Sequence, residues 1–316
     1  MNRKDWEFRE ASIDEWIDSW SEDPDRTRFQ HPEWHQAFAK TWPGNFTPNA
    51  YRIIGADGTN AILPGSTRRL FKGFASEWIG SPGHNYGGLI GPHTPDTYIA
   101  GQLFLLDRHS SYRWYGNPFT KSGFTMDSFT QVVDLDVSDE ELDRSMDHFK
   151  NLYFARRAER KGLRLERWHG TAETYASIYL DAQNRWNMDG SLPNSYPTAF
   201  FDAVFNLDGT EIWAVTTDKD TTPIAMGIFL TAGTHVVSWL TLAREDALPL
   251  RPYQFLYVNL IRHYHQKGFK RFDFNPSGGL DGVIEFKQRF GAKKMPLPVF
   301  TGQSGWLRLL RTMRDV

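Results

Sequence analysis

Apolar residues recur at helix and strand spacings along most of the 316-residue chain, and the pattern predicts short helices alternating with strands. Trp16, Ile17 and Trp20 share one face over residues 14–20, with Ser12 placed to cap that helix. A second helix is predicted over 33–41, where Pro32 suits the first turn. Residues 52–54 and 61–64 read as a hairpin around Ala56-Asp57-Gly58, and 68–73 carry the sheet into 75–79. A Gly-rich loop over 80–88 follows, then a helix over 97–110 and strands over 111–115 and 128–135. Ser138 and Glu141 form a capping box that opens a helix running on into 149–161, where Gly162 stops it.

The second half repeats this alternation. A strand over 163–168 leads to a helix over 173–186 that turns Tyr175, Ile178, Tyr179 and Ala182 inward. After a polar loop (187–195) and a helix (198–205), three antiparallel strands are predicted over 211–217, 222–232 and 235–243. Leu256, Leu260, Ile261 and Tyr264 then mark an amphipathic helix over 253–267 that stops at Gly268. Residues 270–274 alternate polar and aromatic, as in a strand with one buried face. Asn275-Pro276-Ser277-Gly278-Gly279 breaks that strand. A short helix carries Phe286, Lys287 and Phe290 and is closed by Gly291; a strand (295–300) and an amphipathic helix (305–313) end the chain.

Length suits two domains, and the aromatic-rich composition suits a sizeable core. The chain has no cysteine, which excludes disulfides, thiolate metal sites and a cysteine nucleophile. The start is charged and no stretch approaches the roughly 18–20 apolar residues a membrane span needs, so a cytoplasmic location is expected.

Net charge is near zero but uneven. Residues 1–25 hold nine Asp/Glu against three Lys/Arg, whereas 150–167 hold seven Lys/Arg against two Asp/Glu and 262–316 eleven against four. Such patches suit a phosphate-bearing ligand rather than DNA. Arg156, Arg157, Arg160 and Lys161 lie in the first patch, clustered on adjacent faces of one helix that could clamp a diphosphate or carboxylate, or could simply be solvated. Pro252 at the start of the 253–267 helix leaves exposed N–H groups that can meet an anion, with Arg251, Tyr253 and Gln254 around them. Asn85 and Tyr86 could donate hydrogen bonds from the Gly-rich loop. His31 and His35 lack a third ligand, so no metal is expected; nor is there a G-x-S-x-G elbow, a Walker loop or a dinucleotide fingerprint.

Two sets of motifs carry a resemblance. In the second half, the strand ending Asp273-Phe274, the Gly-rich break and Phe286-Lys287-x-x-Phe290-Gly291 resemble the C-terminal signature of Fem-type aminoacyltransferases and CelD-like acyltransferases. In the first half, His31-Pro32-x-Trp34, the strand ending Leu63-Pro64, a basic connector, then Ser81-Pro82 and Tyr86-Gly87-Gly88 are similar in content and order to Fem-like proteins. The resemblance covers about residues 29–291.

It implies an α+β protein of two tandem GNAT-like domains, with mixed, mainly antiparallel sheets flanked by helices. The first would span 1–139, with the tail 299–316 packing on it; the second would span 140–298 and hold the donor site. The implied activity is N-acyl transfer from aminoacyl-tRNA or acyl-CoA, as co-substrate rather than tightly bound cofactor, to a small-molecule or cell-envelope-precursor amine. The acceptor end of a tRNA is thus an implied partner. Lys287 would stabilise charge on the donor or intermediate, Phe286 would shape the pocket, and Asp273 is a candidate proton acceptor. Asn85, Tyr86, Arg156, Arg157, Asn275 and Ser277 would position substrate, and Arg251, Tyr253 and Gln254 would hold the donor. The Gly-rich acetyl-CoA loop of ordinary GNAT enzymes is missing, and a binding module that has lost donor binding is the alternative. The plain structural reading of Phe286-Lys287-x-x-Phe290 is two core phenylalanines with a solvated lysine between them.

Overall fold

The computed structural model describes residues 5–120, 123–124, 128–187, 196–305 and 307. The polar loop and most of the final helix expected from sequence lie outside them.

The chain divides into two units. One takes the residues up to Phe129 and those from Met295 onward; the other runs Thr130–Lys294. The sequence suggests a boundary near residue 140. The strand ending at Asp134 instead pairs in the second sheet, so its side of the division falls about ten residues earlier.

In the first unit the elements are β1 (Trp6–Ala11), α1 (Ile13–Glu22), α2 (Pro32–Thr41), β2 (Phe46–Gly55), β3 (Asn60–Leu70), β4 (Ala75–Ile79), α3 (Pro95–Arg108) and β5 (Ser111–Tyr115). The last strand of the chain, β13 (Val299–Gln303), pairs antiparallel with β5. The sheet order is β1-β2-β3-β4-β5-β13, antiparallel except for the parallel β4–β5 pair. Ser12 and Glu15 close a capping box on α1, and Pro32 occupies the first turn of α2. The core gathers Trp78, Tyr98, Trp114 and Phe300 around the sheet. Strand β1 is not foreseen, because its alternating charges look like a solvated leader until β2 is there to pair with it.

The second unit contains β6 (Phe129–Asp134), α4 (Asp139–Ser145), α5 (Tyr153–Arg160), β7 (Leu163–Arg167), α6 (Ala172–Asn187), α7 (Thr198–Phe205), β8 (Thr210–Thr217), β9 (Asp220–Ala232), β10 (His235–Ala243), α8 (Pro252–Gln266), β11 (Arg271–Asp273), α9 (Asp281–Gln288) and β12 (Lys293–Pro296). The order is β12-β6-β11-β10-β9-β8-β7. Strands β10 and β11 run parallel, while β6–β11, β10–β9, β9–β8 and β8–β7 are antiparallel. The helix expected to run from 138 to 161 is broken into α4, a wide turn over His148–Leu152, and α5. The Asp147 carboxylate accepts from the N–H groups of Phe149 and Lys150, which starts a new helical segment there. The single strand expected over 295–300 is two strands, β12 and β13, one in each sheet. Pro298 lies between them; lacking an N–H, it suits the break.

Candidate functional site

The second unit builds its site where two parallel strands part. β11 pairs with β10 only at His235–Val237, while β10 continues along β9 to Ala243. The β10–β9 register shifts between Ser238 and Leu240, so a bulge stands where the strands diverge. Here the Tyr257 hydroxyl from α8 lies 3.1 Å from Ser238 Oγ, which is itself 3.2 Å from Thr241 Oγ1. This hydroxyl cluster is not foreseen from sequence, since bulge, strand and helix meet only in the fold.

Beyond β11 the chain turns sharply. Asp273 is fully buried; its Oδ1 accepts from Thr130 Oγ1 at 2.5 Å and from the Asn275 N–H at 2.7 Å. Asn275 has φ 63°, in the left-handed region that asparagine tolerates better than most residues. Ser277 Oγ donates to Gln131 Oε1 at 2.7 Å, and Gln131 Nε2 donates to the Ile284 carbonyl at 2.9 Å. Asp273 and Ser277 therefore hold the loop to β6. Thr130 and Gln131, more than 140 positions away, carry no local signal of this role.

Helix α9 brings Lys287 against that loop. Its Nζ donates to the Asn275 carbonyl at 2.6 Å, and the residue is only 7% exposed. Burial lowers its pKa to about 8, with the Asp273 carboxylate acting in the opposite direction. The reading of a solvated lysine is thus corrected. Phe286 and Phe290 flank it with ring centroids 5.1 Å apart, and Phe286 also meets Tyr253 and Tyr257 at 6.3 and 6.0 Å. Gly291 follows at φ 83°, with Ser145 where a Cβ would stand, so no side chain fits.

A second feature of this unit lies at the start of α8. Arg157, Lys161 and Arg251 line a cleft floored by Phe154, Ala158, Pro249 and Leu250. The Arg251 guanidinium lies 5.0 Å from the Phe154 ring centre. Arg251 caps α8 from a left-handed conformation, φ 61° and ψ 47°. Tyr253 is half-buried; burial pushes its hydroxyl up to about 12, against the lowering effect of Arg185. Gln254 is half-buried in the same first turn. Arg156 is exposed and does not line the cleft, so the fold separates the two arginines that the sequence groups. Lys161 takes its place.

In the first unit Asn85 and Tyr86 face inward. Tyr86 is fully buried, with Phe29 and Phe119 edge-on at 5.3 and 6.3 Å. Asn85 is 2% exposed and donates to the Pro82 carbonyl at 3.1 Å. The expectation that they contact substrate is corrected: both side chains are spent on packing the loop. Among the described residues no three His, Asp or Glu side chains gather as a metal site. His31 caps α2 and His35 lies 2.9 Å from Ser66 Oγ.

Comparison with known proteins agrees with this geometry. Residues 147–288 match the family model of an acetyltransferase (GNAT) domain. The structure of FemX superposes with a TM-score of 0.71 at 12% identity, over 96% of this chain and 99% of FemX. The chain therefore has the fold of FemX, and residues 147–288 carry its GNAT domain. The C-terminal domain of a candidate lysylphosphatidylglycerol synthetase from Agrobacterium fabrum has a TM-score of 0.56 at 16% identity, covering 96% of each chain. L-PGS from Bacillus licheniformis has 0.52 at 11%, over 91% of this chain and 96% of that one. No curated protein matches the sequence. In the GNAT domain, the parting of β10 and β11, the Lys287 contact and the basic cleft all fall within the matched region. No helix among the described residues is long and apolar enough to cross a membrane.

Proposed function

We propose that the protein is an N-acyltransferase whose reaction centre lies in the second unit, beside Lys287. The observation that carries this reading is a nearly buried ammonium held on a main-chain carbonyl where two parallel strands part.

The reaction joins a substrate amine nitrogen to the carbonyl carbon of an activated acyl group. The C–O bond of an ester or the C–S bond of a thioester breaks, and the proton lost by the nitrogen ends on the departing alcohol or thiol. Charge grows on the carbonyl oxygen and then on the leaving group. A preorganised cation in a dry site stabilises that charge far better than water does. Lys287 has the position and protonation range for this role, and Phe286 and Tyr257 keep the surroundings apolar. The N–H groups opening α8, with Arg157, Lys161 and Arg251, suit the phosphates of an acyl-CoA or the acceptor end of an aminoacyl-tRNA. No covalent nucleophile is needed, because the amine attacks directly.

The test is a donor panel. Acyl-CoAs and aminoacyl-tRNAs are screened for a rise in melting temperature, then for consumption in the presence of small-molecule and envelope-precursor amines. One donor class should bind and be consumed. Lys287→Ala should bind it but turn over on the order of 100- to 1000-fold more slowly. Failure of both classes to bind would overturn the proposal; binding without consumption would favour a module that holds the donor but does not react it.

A further inference from the structure

The first unit carries a surface that the acyl-transfer reading does not use. Strands β3 and β4 are joined by Phe71-Lys72-Gly73-Phe74, where Phe74 is 87% exposed and Phe71 41%. Aromatic side chains that large normally turn inward. This turn also holds Phe71 and Lys72 at φ 49° and 56°, a left-handed region that is strained for a residue with a side chain. Asparagine and glycine are the usual occupants of such a turn. An aromatic residue and a lysine stand there instead, with both phenylalanines facing solvent.

A neighbouring loop extends the surface. The Arg69 N–H donates to the Asn45 carbonyl at 3.3 Å, and Phe46 pairs with Arg68 across β2 and β3. This places Trp42-Pro43-Gly44-Asn45 beside the hairpin. Trp42 and Phe46 are half-buried and lean on Phe38, at 5.5 and 5.6 Å, so the base of the tip is rigid. Residues 40–46 and 68–74 contain four cations, Lys40, Arg68, Arg69 and Lys72, and no carboxylate. The buried carboxylate of Glu77 binds Arg68 at 2.5 Å, which leaves three cations beside the exposed rings.

Aromatic rings ringed by lysine and arginine match a bilayer interface, where the rings enter the headgroup region and the cations meet anionic lipid. We propose that this hairpin tip is a membrane-interface anchor that seats the first unit on an anionic lipid surface. A protein partner would need a carboxylate-lined apolar groove to satisfy the same rings and charges. A lipid surface supplies both at once and needs no shape complement to a protruding tip.

The experiment is sedimentation of the full chain with vesicles of phosphatidylcholine, with and without phosphatidylglycerol. The protein should partition onto the mixed vesicles, and less so as salt rises. Phe71→Ser with Phe74→Ser should lower partitioning about tenfold or more, given what two buried rings contribute. Arg69→Gln and Lys72→Gln should each lower binding to anionic vesicles roughly fivefold and leave binding to neutral ones unchanged. All four side chains are exposed or on the rim, so circular dichroism and melting should match the parent protein. Absence of binding to the mixed vesicles, or a double serine variant that partitions like the parent, would overturn the proposal. So would equal binding to neutral vesicles, or a tip whose removal changes only self-association.

Discussion

The Lys287 ammonium donates at 2.6 Å to the carbonyl of Asn275, a residue itself held in a left-handed conformation at φ 63°. The contact links α9 to the loop that follows β11, and it fixes a cation in a site where water is scarce. If that cation stabilises charge that grows during acyl transfer, Lys287→Ala should reduce kcat on the order of 100- to 1000-fold while KM changes little. Lys287→Arg should recover only part, because a planar fork does not replace a compact ammonium. Steady-state kinetics with the donor found by the panel decides this, and near-normal turnover in the alanine variant would sink the assignment.

If the lysine acts in this way, it should set a pH dependence of activity. With its pKa lowered to about 8, the charged form is lost above that pH. The acceptor amine, by contrast, gains reactivity as it deprotonates. The pH profile of kcat should therefore turn down near pH 8, and Lys287→Arg should carry the plateau to higher pH. An unshifted alkaline limb in that variant would show that some other group titrates.

Stability should respond in the opposite sense to pH. The unfolded lysine titrates near 10.5 and the folded one near 8, so between these values the unfolded chain holds the extra proton and stability rises with pH. Below about pH 8 the penalty stays constant, on the order of 3 kcal/mol by the size of the shift. Lys287→Met removes this charge at similar volume, though it leaves the Asn275 carbonyl without that donor. It should equal or exceed the parent in urea midpoint at pH 7. A strongly destabilised methionine variant would mean that the ammonium holds the loop in place.

Arg251 allows charge and strain to be separated. Its left-handed conformation costs roughly 1–2 kcal/mol, against 0.5–1 kcal/mol of flexibility that glycine adds to the unfolded chain. Arg251→Gly should leave stability equal or up to about 1.5 kcal/mol higher, and yet raise the KM for a phosphate-bearing donor. Arg157→Ala should raise the same KM, and the exposed Arg156→Ala should not. Equal effects from Arg156 and Arg157 would remove the cleft from donor binding.

In the first unit, burial and nearby His31 hold the pKa of His35 down at about 3. Between pH 6.5 and 3 the unfolded chain binds the proton that the folded chain refuses, so stability falls as the pH drops through that window. His35→Gln should flatten the dependence over this range in urea titrations followed by fluorescence. If the slope is unchanged, other groups govern the acid sensitivity of this unit.

How far the sequence reaches can be seen element by element. Ser12 with Glu15 and Ser138 with Glu141 do form their capping boxes, and Pro32 and Pro252 do open helices. Phe286, Phe290 and Gly291 mark the helix that carries Lys287, and these signals lie within a turn or two of what they specify. Arg156 and Arg157 show where the reading ends. Adjacent residues on a helix point about 100° apart, and only the packing of α5 against α8 decides which one meets Arg251.

By itself, then, the sequence determined the α+β alternation, the helix starts, the aromatic-lysine motif and the likeness in fold to FemX. These depend on contacts between residues close in sequence, or on patterns of burial that repeat at fixed periods. The tertiary structure decided that Asn85 and Tyr86 face inward, that β6 joins the second sheet and β13 the first, and that Thr130 and Gln131 hold Asp273 and Ser277. It also decided that Lys287 is buried. The strand pairings, the Tyr86 ring contacts and the Thr130 and Gln131 bonds rest on partners dozens to well over a hundred positions away, and a polar side chain's burial and pKa follow from its packed surroundings, which the local pattern does not show.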